Sequence, residues 1–452
     1  MLAVIGLLIV IVVVALLLSG RASPIVALVL VPLIGALVAG YGPAEISDFF
    51  ETGIGRVMQV ATMFAFAIVF FGVLQDTGLF RPIIEGLIKV TGGNVVYVAM
   101  GTALIGVFAH LDGAGATTFL LTVPALLPLY TRLGMSRYLM LLLLATGAGM
   151  ANMLPWAGPL GRAAAVTGLD VTELWRPLIP VQLAGVVVLL AIAFVYGRRE
   201  QRRIAAAGSP VAAIAQADGI SVEAASKVQA EMGVERTGKQ VSDEEAPLLR
   251  PNLLWVNAGL FLAVLAALVS GVLPAAYVFM IGLGVIMVVN YPDVTTQMDR
   301  IRAHAGAALQ MSAIILAAGS FLGIVDGSGM LRAMAEALVS VLPEGAVGVL
   351  HLLLGLVALP IELILSTDAY YFGLLPVVLQ ITEPAGVGAA ETVHALVIGN
   401  IIGTFISPFS PAMWLALGLA RAEIGRHIRY SILLMWGYSL VLMGVGFLLG
   451  LY

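Results

Sequence analysis

The sequence predicts an all-α polytopic membrane protein built as two inverted repeats of five transmembrane helices, each with a re-entrant hairpin and a broken helix. Three observations lead there. Of 452 residues, 61% are hydrophobic and 11% charged, with a mean hydropathy of +1.06, against the roughly one-quarter charged make-up of soluble domains. Two polar interruptions, 110–119 (HLDGAGATTF) and 366–370 (STDAY), lie inside apolar runs. The second half of the chain also repeats the first at a shift of about 251 residues.

The apolar runs suffice for about ten spans of about 20 residues each, so the membrane region carries the activity. The absence of cysteine excludes disulfides, thiolate metal sites and cysteine nucleophiles. A net charge of −4 gives no argument for nucleic acid as a partner. Residues 2–18 have neither a basic n-region nor an A-x-A-like cleavage site, so they are expected to be a retained first span.

Runs at about 2–19, 24–41 and 57–78 read as three spans, the last preceded by a polar loop carrying Glu45, Asp48, Glu51 and Arg56. Residues 80–90 are too short and amphipathic to span and are expected in the interface. Residues 94–132 form two apolar arms around the first interruption; hydropathy alone allows two spans or one hairpin. The crossing at 137–166 is broken at 152–159 (NMLPWAGP), because two prolines and a glycine cannot continue a helix. Broken helices at membrane depth are tolerated only where the freed backbone is buried in protein or faces a cavity. A span at 175–197 ends in the basic run 198–203, and 201–251 is expected to be a polar cytoplasmic linker, at most partly helical. This divides the chain into 1–200, the linker, and 252–452.

The duplication pairs FFGVLQDTGLFRPIIEGLIKV (70–90) with FLGIVDGSGMLRAMAEALVSV (321–341). Gly72/Gly323, Gly78/Gly329, Arg81/Arg332 and Glu85/Glu336 match in register, as do Phe70/Phe321, Leu87/Leu338 and Val90/Val341. Nearly the same shift lays STDAY under AGATT and brings Asn400 with 407–411 (SPFSP) close to Asn152 with its break. If each interrupted run is a hairpin, each repeat has an odd number of crossings and the halves are inverted. With 198–203 cytoplasmic, all 22 Lys and Arg except Arg56, Arg162, Arg176 and Arg332 then fall on the cytoplasmic side, as the positive-inside rule asks. Both termini lie outside, and the hairpins enter from opposite sides. Inverted repeats with paired, Gly/Pro-interrupted segments point to a secondary transporter with its site near the bilayer midplane.

Four interruptions converge in this scheme. Helix N-termini expose N–H groups suited to carboxylates, and freed carbonyls suit cations, so an anion accompanied by a cation is the ligand such a geometry fits. Asp112 reads as a cation or proton site, an ionisable group deep in the membrane usually having a task; the alternative is a helix cap. Thr117 and Thr118 either donate to a substrate carboxylate or cap the second arm. Gly113 and Gly115 allow close backbone approach or a tight turn. Asp368, with Ser366 and Thr367, holds the corresponding place in the second hairpin. Asn152 and Asn400 precede the breaks containing Pro155, Gly158, Ser407 and Ser410. Arg162 either reaches a substrate carboxylate or snorkels to the outer surface. His110 adjoins Asp112 as a possible proton relay. His351, Glu362 and His394 are further candidates, and the basic residues at 198–203 and 421–429 read as orientation signals.

At HLDGAGATTFLLTVPALLPLY (110–130), NMLPWAGPLGRAA (152–164), ATMFAFAIVFFGVLQDTGLF (61–80) and STDAYYFGLLPV (366–377) the chain resembles the citrate–divalent metal:proton symporter family (CitMHS) of the ion transporter superfamily. The resemblance covers both halves and leaves out the linker. It implies a homodimer, a scaffold of outer helices, and a mobile unit of hairpins and broken helices moving as an elevator. It also implies proton-coupled symport of citrate complexed with Mg²⁺, Ca²⁺ or a similar ion, with no permanently bound cofactor. Asp112 and Asp368 would then meet the metal while hairpin N–H groups meet the carboxylates, and His110, Asp112 and Asp368 are the candidates for proton coupling. The superfamily often has Ser-Asn-Thr at its hairpin tips; Gly-Ala-Thr-Thr and Ser-Thr-Asp here argue against sodium coupling of that kind. A proton- or sodium-coupled carrier of gluconate or a dicarboxylate is the nearest alternative. A channel is a more distant one, and an intramembrane enzyme would need a nucleophile or a helical H-E-x-x-H, neither of which the sequence offers.

Overall fold

A computed structural model describes residues 1–19, 21–79, 81–219, 221–234, 246–340 and 342–452. Val341, paired with Val90 above, and 235–245 of the linker lie outside the described residues. Helices are the only regular structure among the described residues. The first half contains α1 (Leu2–Ser19), α2 (Pro24–Val38), α3 (Pro43–Asp76), α4 (Arg81–Val90) and α5 (Val95–Ala109). It continues with α6 (Gly115–Leu133), α7 (Arg137–Ala151), α8 (Gly158–Thr167), the short α9 (Val171–Trp175) and α10 (Ile179–Ala207). The linker region forms α11 (Pro210–Asp218) and α12 (Val222–Val234). The second half follows with α13 (Leu254–Ser270), α14 (Ala275–Asn290), α15 (Val294–Gly327), α16 (Met330–Val339) and α17 (Glu344–Val347). Last come α18 (Leu350–Glu362), a π-helix at Ala369–Leu374 running into α19 (Leu375–Thr382), α20 (Ala389–Asn400), α21 (Pro411–Ala420) and α22 (Ile424–Leu448).

Six stretches are long and apolar enough to cross a membrane by length and composition: Pro43–Asp76, Gly115–Leu133, Val171–Ala207, Pro251–Ser270, Val294–Gly327 and Ile424–Leu448. Shorter apolar helices lie between them. The expected breaks fall where proline and glycine put them, α7 stopping at Ala151 and α8 restarting at Gly158. Each arm of the first interrupted run is a separate helix: Asn94 caps α5 through the N–H groups of Val96 and Tyr97, and α6 ends at Gly134 in the left-handed region, φ 73°.

Two expectations are corrected. The polar stretch with Glu45, Asp48, Glu51 and Arg56 is not a loop but the opening turns of the 34-residue α3. Its start is fixed by Pro43 at the first helical position and by Glu45, whose Oε2 accepts from the Gly42 N–H at 2.8 Å. Once begun this way, charged residues on an exposed face do not stop a helix. The helix likewise does not stop at the basic run 198–203, because α10 continues to Ala207. There the buried Glu200 accepts from the Ser136 N–H at 2.6 Å, and Arg203 pairs with Glu200 while donating to the Gly134 carbonyl at 2.8 Å. This ties α10 to the base of the α5–α6 hairpin. The linker helices α11 and α12 pack on each other and on α6, and Arg426 of α22 donates to Ala217 O at 2.7 Å.

The frame that positions everything else is the pairing of α3 with α15. Both are 34 residues long, starting 251 residues apart at Pro43 and Val294 and ending 251 apart at Asp76 and Gly327. They run antiparallel. Arg56, early in α3, pairs with Asp326, late in α15, at 2.7 Å, whereas Asp76, at the end of α3, meets Arg300 (3.5 Å) and His304 (2.8 Å), early in α15. Glycines allow the close approach, as small residues do at helix interfaces in membranes. A methyl on Gly53 would run into the Gly319 carbonyl oxygen and lie 2.8 Å from Gly323 Cα, and one on Gly72 would run into the His304 ring. Positions 53 and 304, and 72 and 323, are themselves 251 apart, so the same contact is made twice, once by each half.

Gly53→Ala is therefore expected to destabilise the protein by about 1–3 kcal/mol through overpacking. Gly55→Ala, where an added methyl meets nothing within 4 Å, is expected to leave stability unchanged; thermal unfolding of both variants in detergent checks the difference.

Candidate functional site

The two interrupted runs and the two helix breaks meet in the interior. At the first tip, His110 is fully buried and its ring spans Thr118 Oγ1 (Nδ1, 2.8 Å) and Asn152 Oδ1 (Nε2, 3.3 Å), joining hairpin to break. Trp156, inside the break, donates its indole N–H to Leu111 O at 2.8 Å. Gly113 turns the chain with φ +72°, and a side chain there would lie 3.2 Å from Trp156 O. Gly115 opens α6, and a Cβ there would lie 2.7 Å from the ring of Phe405, a residue of the second break. Phe405 also sets its edge on His110, with ring centroids 5.1 Å apart. Pro155 is buried between α7 and α8.

The second tip is built on the same plan with different chemistry. Glu362, the last residue of α18, is fully buried. Its Oε1 accepts from Thr367 Oγ1 at 2.6 Å and its Oε2 from Asn400 Nδ2 at 2.7 Å. Ser407, in the second break, donates to the Glu362 carbonyl at 2.9 Å. Tyr371, held in the core by the π-helix, donates to Asn400 Oδ1 at 3.3 Å. Ser366 Oγ accepts from the Ala369 N–H at 3.2 Å. Ser410 sits one residue before α21, its N–H bonded to Ser407 O at 3.1 Å.

An ion pair connects the halves. Arg162 Nε donates to Asp368 Oδ1 at 2.7 Å, with side-chain exposures of 9% and 15%. Arg162 thus points inward from α8 rather than to an outer surface. Gly158 makes room for it, because a methyl there would run into Arg162 Nη1.

Asp112 closes the turn leading into α6: its carboxylate accepts from the Ala114 N–H at 2.9 Å and from the Thr117 hydroxyl. Thr117 therefore faces Asp112 and Ala114 O, and Thr118 faces His110. Among the described residues no group of three His, Asp or Glu could hold a metal ion, at Asp112, Asp368 or elsewhere. His351 and His394 sit apart from the tips; His394 bonds Leu174 O at 2.9 Å. The residue underrated from sequence is Glu362, and the signal for it was the duplication register, which lays His110 on 361–362. Thr404, in the second break, carries a buried hydroxyl with no hydrogen-bond partner among the described residues, and nothing in the local sequence singles it out.

The CitMHS family, described as citrate transporter, matches residues 1–403. A Bacillus subtilis (strain 168) protein described as a citrate transporter is 35% identical over 451 residues, covering 100% of this chain and 99% of its own length. The chain belongs to the CitMHS citrate transporter family. A second protein of that organism, described as a Mg(2+)/citrate complex secondary transporter, is 34% identical over 432 residues, covering 96% of this chain and 94% of its own. The crystal structure of the Alcanivorax borkumensis YdaH transporter has the same fold in outline, with a TM-score of 0.51 at 18% identity over 89% of this chain and 87% of that one. Family membership makes the protein a multi-pass membrane transporter and not an enzyme.

The ion pair between the halves gives a stability test. Asp368→Asn leaves the Arg162 guanidinium buried and unpaired, a loss of roughly 3–5 kcal/mol. The double change Arg162→Gln with Asp368→Asn is expected to lose less than the two single changes added, as thermal unfolding in a double-mutant cycle would register.

Proposed function

We propose that the protein is a secondary active transporter that carries citrate complexed with a divalent ion of the Mg²⁺ or Ca²⁺ kind, in symport with protons. The observation that carries this reading is the Arg162–Asp368 ion pair, bridging a broken helix of one half and a hairpin of the other. A planar guanidinium is suited to bidentate carboxylate binding. An arriving citrate carboxylate exchanges with Asp368 for Arg162, and the released Asp368 carboxylate turns toward the cation that the citrate brings. Asp112, at the other tip, lends a second negative charge on the metal side. The first-turn N–H groups of α6, at Gly115 and Ala116, have no side-chain cap and add donors for the anion. The name of the second Bacillus relative supports the metal complex as cargo.

Alternating access follows from two inverted five-crossing repeats, 1–200 and 252–452, with the hairpins and broken helices moving as an elevator against a scaffold in a homodimer. The antiparallel α3–α15 pair, with its twice-made glycine contact and 251-residue register, supports the inversion. So does the grouping of basic residues at one end, where Arg137 donates to Arg421 O at 2.6 Å and Arg426 to Ala217 O. That end is the cytoplasmic one in this reading, with the linker there and both termini outside.

Citrate with Mg²⁺ is expected to raise the melting temperature well beyond either component alone, by the equivalent of about 2.7 kcal/mol at a hundredfold excess over Kd. Equal stabilisation by citrate with a chelator would contradict the metal complex. Gly158→Ala, which displaces Arg162, is expected to weaken apparent affinity about ten- to a hundredfold, the worth of a hydrogen bond to a charged group; labelled-citrate uptake into proteoliposomes measures it.

A further inference from the structure

We propose that Glu362 is the residue that carries the co-transported proton, an inference that rests on the proton-coupled reading above and assigns its site. Glu362 is a carboxyl with no exposed surface at the end of α18, inside the second hairpin. Neither of its oxygens has a cation as partner: the bonds run to the Thr367 hydroxyl and the Asn400 amide. The nearest cation, Arg162, is engaged by Asp368, the neighbour of Thr367. A buried carboxylate held only by neutral donors is the group most easily neutralised by taking a proton.

The hydrogen bonds also say where that proton sits. Tyr371 donates to Asn400 Oδ1, which turns the Asn400 NH₂ toward Glu362 and keeps Oε2 an acceptor in either charge state. The other oxygen, Oε1, faces a hydroxyl that can reverse. With Glu362 ionised, Thr367 donates to Oε1; with Glu362 protonated, the Oε1–H donates to Thr367 Oγ1, whose own proton rotates elsewhere. The proton comes from water on the side where substrate enters and returns to water on the other, and in both charge states each carboxyl oxygen keeps a partner.

Charge couples this step to substrate. The ionisable groups facing Glu362 are Arg162 and Asp368, with the phenols of Tyr370 and Tyr371 from the π-helix. From α20, Glu391 and His394 lie further back along the helix, and from α22, His427 lies in its first turn. Arg162 and Asp368 cancel, so ionised Glu362 leaves this core negative. A citrate trianion holding a divalent ion is itself a net anion. Binding it favours protonation of Glu362, and by reciprocity protonation favours binding. The corresponding place in the first half is filled by His110, bonded to Asn152 as Glu362 is to Asn400, so at this position only the second half has an acid.

The test compares wild type with Glu362→Gln, which keeps shape and removes the titration, in proteoliposomes and in weakly buffered detergent solution. Wild type is expected to accumulate labelled citrate with Mg²⁺ against its gradient when a proton gradient is imposed, and to take up protons on binding. Glu362→Gln is expected to lose both while still being stabilised by Mg–citrate and still exchanging labelled for unlabelled citrate across the membrane. Proton-driven accumulation undiminished in Glu362→Gln would overturn the assignment. A wild type that accumulates citrate without regard to the proton gradient would instead overturn the coupling on which it rests. Should the variant not fold, wild type decides by reaction with dicyclohexylcarbodiimide, which attacks protonated carboxyls in apolar surroundings. Labelling of Glu362 that fades as pH rises supports the assignment, and absent or pH-independent labelling contradicts it.

Discussion

Inside a bilayer there is no water to satisfy a backbone N–H or C=O that a helix has let go, and each such group left alone costs several kcal/mol. Four interrupted segments in the buried interior of a membrane protein would be untenable one by one. Here they supply partners to one another. The Leu111 carbonyl at the first tip receives the Trp156 indole from the first break, and the Glu362 carbonyl at the second tip receives the Ser407 hydroxyl from the second break. The two Asn side chains that end α7 and α20 reach the last side chain before each tip, His110 and Glu362. Tip and break therefore form a unit in each half, and Phe405 and the Arg162–Asp368 pair lock the units together.

The same constraint separates frame from site. α3 and α15 bury their own backbone bonds along 34 residues each and approach through glycine, so they are stiff and make few demands on their surroundings. The interrupted elements are joined to one another through individual side-chain hydrogen bonds. A π-helix, an arrangement frequent at functional sites, occurs in the second hairpin, where it aims Tyr371 at Asn400. Motion between conformations is cheaper where bonds can be exchanged one for one than where continuous helix would have to break.

How much of this could be read from sequence follows from where the polar residues sit. The tips and breaks were legible because Asp, Gly, Pro and Thr inside apolar runs have few structural readings, and the helices stop and restart at those residues. The opening of α3 was misread because charge was taken as a loop signal, when a Gly-Pro start with Glu45 reaching back to Gly42 begins a helix outright. Asp112 drew attention as the only acid of the first tip, yet its carboxylate shapes the turn. Glu362 ranked only among the further candidates because apolar residues surround it in the chain and its partners, Thr367 and Asn400, lie 5 and 38 residues away. Which side chain Arg162 meets is a fact of tertiary structure, 206 residues distant in sequence.

The account turns on Arg162 leaving Asp368 when substrate arrives, and a structure of the reconstituted protein with Mg²⁺ and citrate tests this most directly. The account predicts ligand density between the two tips, a citrate carboxylate on the Arg162 guanidinium, and Asp368 turned from arginine toward the metal. Substrate bound elsewhere, with the Arg162–Asp368 pair still closed at 2.7 Å, would contradict it.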